Sequence, residues 1–112
     1  MNVSTATAFA LIERWMRKML QGQLEPYDWG SKVWGMAMGK ASESPDVMWP
    51  LWLIWGALTD WVEVRPAEKS AAEQEMLRAA REWLALPEGD HAARESYLEG
   101  WVYDEMGYER KS

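Results

Sequence analysis

The chain has 112 residues, of which 12 are Lys or Arg, 18 are Asp or Glu and one is His, so its formal net charge is −6 at pH 7. This length predicts a single domain, residues 1–112, that can bury a core without disulfides or a structural metal. The lack of Cys excludes a disulfide scaffold and a thiol nucleophile, and one His excludes metal sites built from two or three histidines. The acidic balance argues against binding to nucleic-acid phosphates, which needs a basic surface. Composition therefore favours binding to another protein.

Neither a secretory signal nor a membrane span is predicted. Residues 1–8 lack the basic start of a signal peptide, and charged residues soon follow the short apolar stretch Phe9–Ile12. The most apolar run, Val47–Leu58, is far shorter than the roughly 20 residues that a transmembrane helix needs. We expect a cytoplasmic protein with no membrane partner.

Nine Trp and eight Met residues are the unusual feature of the composition. A core rich in Trp would account for them. Two or three of the indoles could instead lie on an interface, where Trp, Tyr and Met are enriched. The two interpretations are compatible, because a small core has difficulty enclosing nine indoles.

Apolar residues recur with a helical period along the chain, and the alternation typical of strands is absent. The first predicted helix runs from Ser4 to Gln21, with Gly22 as its stop. A second helix begins near Pro26, a residue suited to a first helical position, and reaches about Gly39. It has two apolar faces, the first with Trp29, Val33, Met36 and Ala37 and the second with Tyr27, Trp34 and Met38.

Proline and a capping pattern place the next two helices. The third is predicted from about Pro50, because proline breaks a helix interior, to about Val64. The fourth begins at a capping box, in which Ser70 and Glu73 would satisfy each other's backbone donors, and ends before Pro87.

A fifth helix is predicted from Asp90 to Met106, with Tyr97, Leu98 and Trp101 on its apolar side. Short loops join all of these segments. The predicted fold class is therefore all-α, an antiparallel bundle of four to five amphipathic helices in a single helical domain.

Catalytic and metal-binding chemistry have little support in the sequence. His91 lies beside Asp90, which resembles half of a base-and-orienter pair, but no nucleophile accompanies it. Glu88 precedes His91 by three residues, as in a Glu-x-x-His metal pair, but Gly89 places that pair in a loop and a second His is lacking. We predict no enzyme activity, no metal site and no cofactor.

The negative charge is concentrated in the second half of the chain. Residues 1–56 contain five acids and five bases, so the whole net charge of −6 lies in residues 57–112. From Glu82 to Glu109, eight acids accompany one base, Arg94. Such a surface could be a solvated face that aids solubility, or a patch that steers the protein onto a basic partner.

The third helix shows how such a patch could be built. Its predicted core face carries Leu51, Ile54, Trp55, Leu58, Trp61 and Val62. Trp52, Asp60 and Glu63 lie on the opposite arc, and Trp49 joins them if the helix extends back. Indoles exclude water and carboxylates pair with cations, so this face suits a basic partner. Alternatively, the helix is central and other helices cover both faces.

The fifth helix offers a second candidate surface. Glu95, Glu99 and Tyr103 are spaced four residues apart and share its outer face. An ordinary exposed helix surface is the alternative interpretation.

The order of these elements resembles that of the immunity proteins of bacterial toxin systems, in particular the colicin D immunity-like helical group. The resemblance covers residues 9–86 and rests on LIERWMRKMLQGQL (11–24), EPYDWGSKVW (25–34), WLIWGALTDWVEV (52–64) and AAEQEMLRAAREWLAL (71–86). It implies a protein that occupies the active site of a basic toxin, often a nuclease, with acids in place of nucleic-acid phosphates. The positions that match the family's acidic stretch are Asp60, Glu63 and Glu68. The high Trp content and a further C-terminal helix depart from the family pattern.

Three functions remain open from the sequence. The first is an immunity (antitoxin) protein that binds a cognate basic toxin domain. The second is a homodimeric adaptor or structural protein that self-associates through an apolar seam of Tyr27, Trp34, Met38, Trp49 and Trp52. The third is a phage-type inhibitor that mimics nucleic acid on a host enzyme. Charge-steered capture should weaken as salt rises, whereas an apolar seam should not.

Overall fold

The protein is described by a computed structural model that covers residues 4–22, 25–44, 46–87 and 89–107. Five α-helices form within these ranges: α1 (Thr5–Leu20), α2 (Pro26–Lys40), α3 (Met48–Val64), α4 (Lys69–Leu84) and α5 (His91–Glu99). A 3-10 turn, Pro66–Glu68, leads into α4, and a π-helix, Gly100–Glu105, continues α5. The described ranges contain no strand. The predicted all-α bundle is confirmed.

The first helix begins and ends where its sequence predicts. Ser4 caps the start, since its hydroxyl accepts a hydrogen bond from the backbone N–H of Thr7 at 3.2 Å. Gly22 follows the helix with a φ of 75°, in the left-handed region that favours glycine. Arg17 and Lys18 lie in the last turn, where cations complement the helix dipole.

Helices α2 and α3 form an antiparallel pair at the centre of the bundle. A Cβ atom added at Gly30 would lie 3.4 Å from Thr59 Cγ2 and 3.3 Å from Met76 Sδ, so the glycine permits close approach to α3 and α4. Farther along α2, Trp34 lies against Gly56. The order of these contacts is reversed along the two helices, which makes them antiparallel. Helix α1 packs on α2 and α4, while α5 and the π-helix pack on α3.

The core is centred on α3. Five of the six residues on its predicted core face are buried, and the sixth, Trp61, is half-buried. The buried members are Leu51, Ile54, Trp55, Leu58 and Val62. No described helix is both long and apolar enough to cross a membrane.

Helix α3 begins two residues before the predicted start at Pro50. Its first residue is Met48, so Pro50 is the third residue of the helix. The first four backbone N–H groups of an α-helix have no partner within the helix, and proline there removes no hydrogen bond. The predicted start was wrong because it allowed Pro50 only at the first position of the helix and not elsewhere in the first turn.

The predicted capping box at Ser70 is also wrong. Helix α4 already begins at Lys69, directly after the 3-10 turn. The side chain of its N-cap residue, Glu68, accepts no hydrogen bond from the first turn of the helix. The carboxylate of Glu73 instead accepts a hydrogen bond at 3.2 Å from the backbone N–H of Tyr27. Glu73 therefore satisfies a donor in the first turn of α2, a contact between residues 46 positions apart that local spacing cannot reveal.

The last predicted helix is present, but its final part is wider than an α-helix. Asp90 caps α5 by accepting from the backbone N–H of Ala93 at 2.9 Å. The π-helix then ends where the N–H of Met106 donates to the carbonyl of Trp101, five residues back, at 2.8 Å. This segment buries Trp101 and Val102 against the bundle.

Candidate functional site

The nine indoles divide between the core and the surface. Trp29, Trp55, Trp83 and Trp101 are buried. Trp15, Trp52 and Trp61 are half-buried. Trp34 and Trp49 keep 36% and 43% of their surface exposed. Both interpretations of the Trp content therefore apply, and the exposed indoles lie in two separate grooves.

The larger groove, here called the α2–α3 groove, runs between these two helices and has a volume of about 670 Å³. It brings Tyr27 and Trp34, from the second apolar face of α2, beside the outer face of α3, while Met38 of that face lies outside the groove and is 46% exposed. Its lining consists of Tyr27, Ser31, Trp34, Trp52, Leu53, Gly56, Ala57, Thr59, Asp60 and Glu63. None of these described lining residues is a base, so the groove that they form is acidic as well as aromatic.

The close approach of Trp34 to Gly56 shapes the middle of this groove. A Cβ atom at Gly56 would lie 3.0 Å from Nε1 and 3.1 Å from Cδ1 of Trp34, so the glycine lets the indole rest against α3. Trp52 lies one helical turn before Gly56 and Asp60 one turn after it, about 6 Å away along the axis. The ring of Trp34 is thus placed between an indole and a carboxylate on the same face of α3.

Asp60 and Glu63 share a feature that most acids of the described chain lack. Neither has a hydrogen bond or an ion pair within the described residues. Most of the other described carboxylates pair with cations, cap helices or accept from indoles; Glu13, for example, accepts from Trp83 Nε1 at 3.0 Å and from Arg94 at 3.1 Å. Both groove carboxylates are exposed to solvent. They are therefore available to a cation from outside the chain.

A smaller groove, here called the α3–α5 groove, has a volume of about 260 Å³. Its lining consists of Asp46, Trp49, Pro50, Glu95, Leu98, Glu99, Val102 and Tyr103. The structure thus brings Glu95, Glu99 and Tyr103 together with Trp49, which the sequence assigned to the other surface.

Trp49 and Trp52 lie on the same face of α3 but line different grooves. Asp60 is eleven residues beyond Trp49, which is about 16 Å along the helix axis. At the end near Trp49 the face is flanked by α5 and the π-helix, whereas near Trp52 and Asp60 it is flanked by α2. Helical phase alone cannot show this division, because it depends on which helices pack alongside.

Glu68 belongs to neither groove. Its carboxylate accepts from Trp61 Nε1 at 2.9 Å and pairs with Arg65 at 3.4 Å in the turn between α3 and α4. The hydrogen bond from Trp61, followed by the pairing with Arg65, lowers the pKa of Glu68 below its usual value. These contacts fasten the 3-10 turn to the end of α3, so the structure gives Glu68 a role within the chain.

His91 joins two distant segments at the rim of the α3–α5 groove. Its Nε2 atom lies 2.6 Å from Asp46 Oδ2 and 2.8 Å from Glu95 Oε1. The hydrogen bond to Asp46, together with that to Glu95, raises the pKa of His91, and the same contact lowers the pKa of Asp46. The two carboxylates stabilise the protonated imidazole and tie the segment before α3 to α5.

These three side chains are also the ones, among the described residues, that could offer three ligand atoms to a metal ion, all within 4.8 Å of one another. The sequence analysis considered Glu88 and His91 as a pair of metal ligands, and Glu88 lies outside the described residues. Hydrogen bonding within the cluster accounts for its geometry, and the absence of a metal site stays a prediction.

We expect His91 to make the stability of the protein depend on pH. Because the folded-state pKa is raised, the contribution of His91 should be fully present below the unfolded-state pKa near 6.5 and disappear as the pH rises through the folded-state value. The change His91→Gln should therefore lower the urea midpoint at about pH 5.5 and leave it nearly unchanged at about pH 9. An equal decrease at both pH values would mean that the imidazole acts through packing and not through its charge.

Two arginines of the fold each contact an indole ring and a carboxylate, the two kinds of group that line the α2–α3 groove. Arg78 lies 4.6 Å from the ring centroid of Trp101 and pairs with Glu75 at 2.7 Å and Glu105 at 2.6 Å. Arg94 lies 5.2 Å from the ring centroid of Phe9 and 5.4 Å from that of Trp83, and it pairs with Glu13. In each case an indole and a carboxylate hold one guanidinium group.

From the sequence, the two carboxylates and Trp52 were predicted to form a surface for a basic partner. Trp34 and Tyr27 were assigned to a different hypothesis, self-association. The two apolar faces of α2 were the sequence feature that could have indicated this groove, because a helix with a second apolar face must present it to another surface. The groove exists only once this face lies beside α3.

Comparison with known proteins shows no match: no protein-family model, no curated protein and no solved structure is similar to this chain. The resemblance to colicin D immunity-like proteins stays a prediction that rests on the order of the helices.

Proposed function

We propose that this chain is an immunity (antitoxin) protein that binds and blocks a basic toxin domain, such as a nuclease, through the α2–α3 groove. One observation carries the proposal. Asp60 and Glu63, which have no partner within the described residues, lie in a groove beside the indoles of Trp34 and Trp52. A nuclease cleft is basic because it binds phosphates, so these carboxylates can occupy the positions of the phosphate charges.

The location of Asp60 and Glu63 on α3 supports binding to a cation on another molecule. Glu63 lies in the last turn of α3, which contains no basic residue. The carbonyl end of a helix carries partial negative charge, so a carboxylate there costs about 0.3–1 kcal/mol. With no described partner to offset this cost, Glu63 weakens the helix that carries it and Asp60. Binding to a cation on another molecule gives them a favourable role.

The same acids disfavour self-association through this groove. A twofold dimer places the same surface of both copies at one seam, so the carboxylates of both copies would share an interface to which the groove contributes no base. A basic partner forms such an interface without repulsion, and the half-exposed indoles exclude water around its cations.

The test is capture of the partner from the native cell by the tagged 112-residue chain. The wild type should retain a basic protein in a stoichiometric complex at low salt and lose it progressively as salt rises. A variant with Asp60→Asn and Glu63→Gln should not retain it. A matched variant with Glu95→Gln and Glu99→Gln removes the same two charges from the α3–α5 groove and should bind as the wild type does.

Three outcomes would contradict the proposal. Recovery of only this chain as a salt-resistant dimer would favour an adaptor or structural protein. Loss of the partner in the Glu95 and Glu99 variant alone would move the site to the α3–α5 groove. Recovery of a host nucleic-acid enzyme that is not a toxin would favour an inhibitor of the phage type.

A further inference from the structure

The α2–α3 groove contains the components of an arginine-binding site without the arginine. We infer that it receives the guanidinium group of an arginine side chain on the partner protein, stacked on Trp34 and paired with Asp60 and Glu63. This inference rests on the proposed function, since it specifies which side chain of a basic partner the groove binds.

The fold itself shows which cation satisfies this combination of groups. Arg78 both lies over an indole, at 4.6 Å from the centroid of Trp101, and pairs with carboxylates. Arg94 does the same with Trp83 and Glu13. At both of these sites within the described residues, the cation that contacts a ring and a carboxylate together is therefore an arginine.

The lysines of the described chain behave differently. Lys18 lies over the ring of Trp29, at 5.8 Å from its centroid, and forms no ion pair within the described residues. Lys40 and Lys69 pair with Glu43 and Glu25, and neither lies over an aromatic ring of the described residues. A guanidinium group is planar and weakly hydrated, so it can stack on an indole and bind a carboxylate at once, whereas an ammonium group is a compact, strongly hydrated charge.

The register of α3 places stacking and pairing within reach of one side chain. Trp34 rests on Gly56, and Asp60 follows Gly56 by one turn on the same face. A guanidinium group on the exposed face of Trp34 would therefore lie about one helical turn, some 5–6 Å, from the start of the Asp60 side chain. Glu63 lies one further turn along the groove and can accept from the remaining N–H donors.

The test uses small probes and the indole N–H signals of the ¹⁵N-labelled 112-residue chain. N-acetyl-arginine amide is compared with N-acetyl-lysine amide and with the uncharged N-acetyl-citrulline amide, which has nearly the same shape as the arginine probe. Trp34→Phe and Trp52→Phe assign the two groove signals. The arginine probe should shift the Trp34 signal in a saturable way, the lysine probe should bind roughly fivefold more weakly, and the citrulline probe should produce no shift.

Charge variants locate the binding. The shift of the Trp34 signal should disappear in the variant with Asp60→Asn and Glu63→Gln and persist in the variant with Glu95→Gln and Glu99→Gln. Persistence in the first variant would overturn the inference, as would the absence of any shift with the arginine probe. Equal binding of the lysine probe would overturn the preference for arginine and leave the proposed basic partner standing. Failure to capture a salt-sensitive partner would contradict the proposed function, whatever these probes do.

Discussion

The paired change Asp60→Lys and Glu63→Lys should weaken binding of the basic partner by about 2–5 kcal/mol, because two attractive contacts at the centre of the complex become repulsive. The same change should leave the fold intact, since neither carboxylate has a partner within the described residues. Its effect on stability should even be favourable, because a lysine side chain in place of Glu63 would complement the negative end of the α3 dipole. The expected result is a stable protein that no longer binds.

Three measurements check this prediction. Titration calorimetry with the purified partner gives the change in binding, far-UV circular dichroism gives the helix content, and urea unfolding gives the stability. The matched control carries Glu95→Lys and Glu99→Lys, which changes the net charge by the same amount at the α3–α5 groove. If the control weakens binding as much as the groove variant, the effect comes from overall charge and not from the α2–α3 groove. Unimpaired binding by the groove variant would remove Asp60 and Glu63 from the site.

The bounds of α1 and the starts of α2 and α5 were predictable because they depend on neighbours within a few residues. Ser4 and Gly22 bound α1, Pro26 begins α2 and Asp90 caps α5, and all four act through backbone donors or dihedral angles close by in the chain. Periodicity also identified the core face of α3, since a helix buries residues at a fixed angular interval. Local chemistry thus accounts for most of the fold.

Contacts between distant segments account for what the sequence did not reveal. Local spacing assigned Glu73 to the cap of its own helix, but tertiary packing offers it the N–H of Tyr27 in α2 instead. The sequence placed His91 beside Asp90, but the fold brings Asp46 to its ring. In both cases the local pattern was compatible with several partners, and the arrangement of the helices selected one.

The candidate site was predictable in its chemistry and not in its shape. The spacing of Trp52, Asp60 and Glu63 follows from helical periodicity, so their shared face was visible in the sequence. The groove also needs the second face of α2 alongside, and the lack of a side chain at Gly56 where Trp34 rests. Tyr27 and Trp34, which the sequence assigned to self-association, therefore lie in the same groove as Asp60 and Glu63, which it assigned to a basic partner.

The change Trp83→Ala should destabilise the folded protein by about 3–5 kcal/mol, a large effect for a single truncation. Trp83 is 3% exposed and joins three helices. Its ring stacks on Phe9 of α1 at 6.4 Å between centroids and meets Tyr97 of α5 at 6.3 Å. Its Nε1 atom donates to Glu13 at 3.0 Å. Alanine would leave a cavity in α4 and remove the surface on which these side chains pack.

Urea unfolding compares this variant with two others. Trp83→Phe retains an aromatic ring and loses the donor to Glu13, which keeps its contact with Arg94, so we expect a loss of about 1–2 kcal/mol. Trp49→Ala removes an indole that is 43% exposed and should cost less than about 1 kcal/mol. If Trp83→Ala costs no more than Trp49→Ala, the ring does not hold α1, α4 and α5 together. The ring and hydrogen-bond contacts of Trp83 lie on α1 and α5, and Trp83 lines neither side of the α2–α3 groove, so the folded fraction of this variant should still bind the partner. That combination, a large loss of stability with binding retained, is the reverse of the result expected for Asp60 and Glu63.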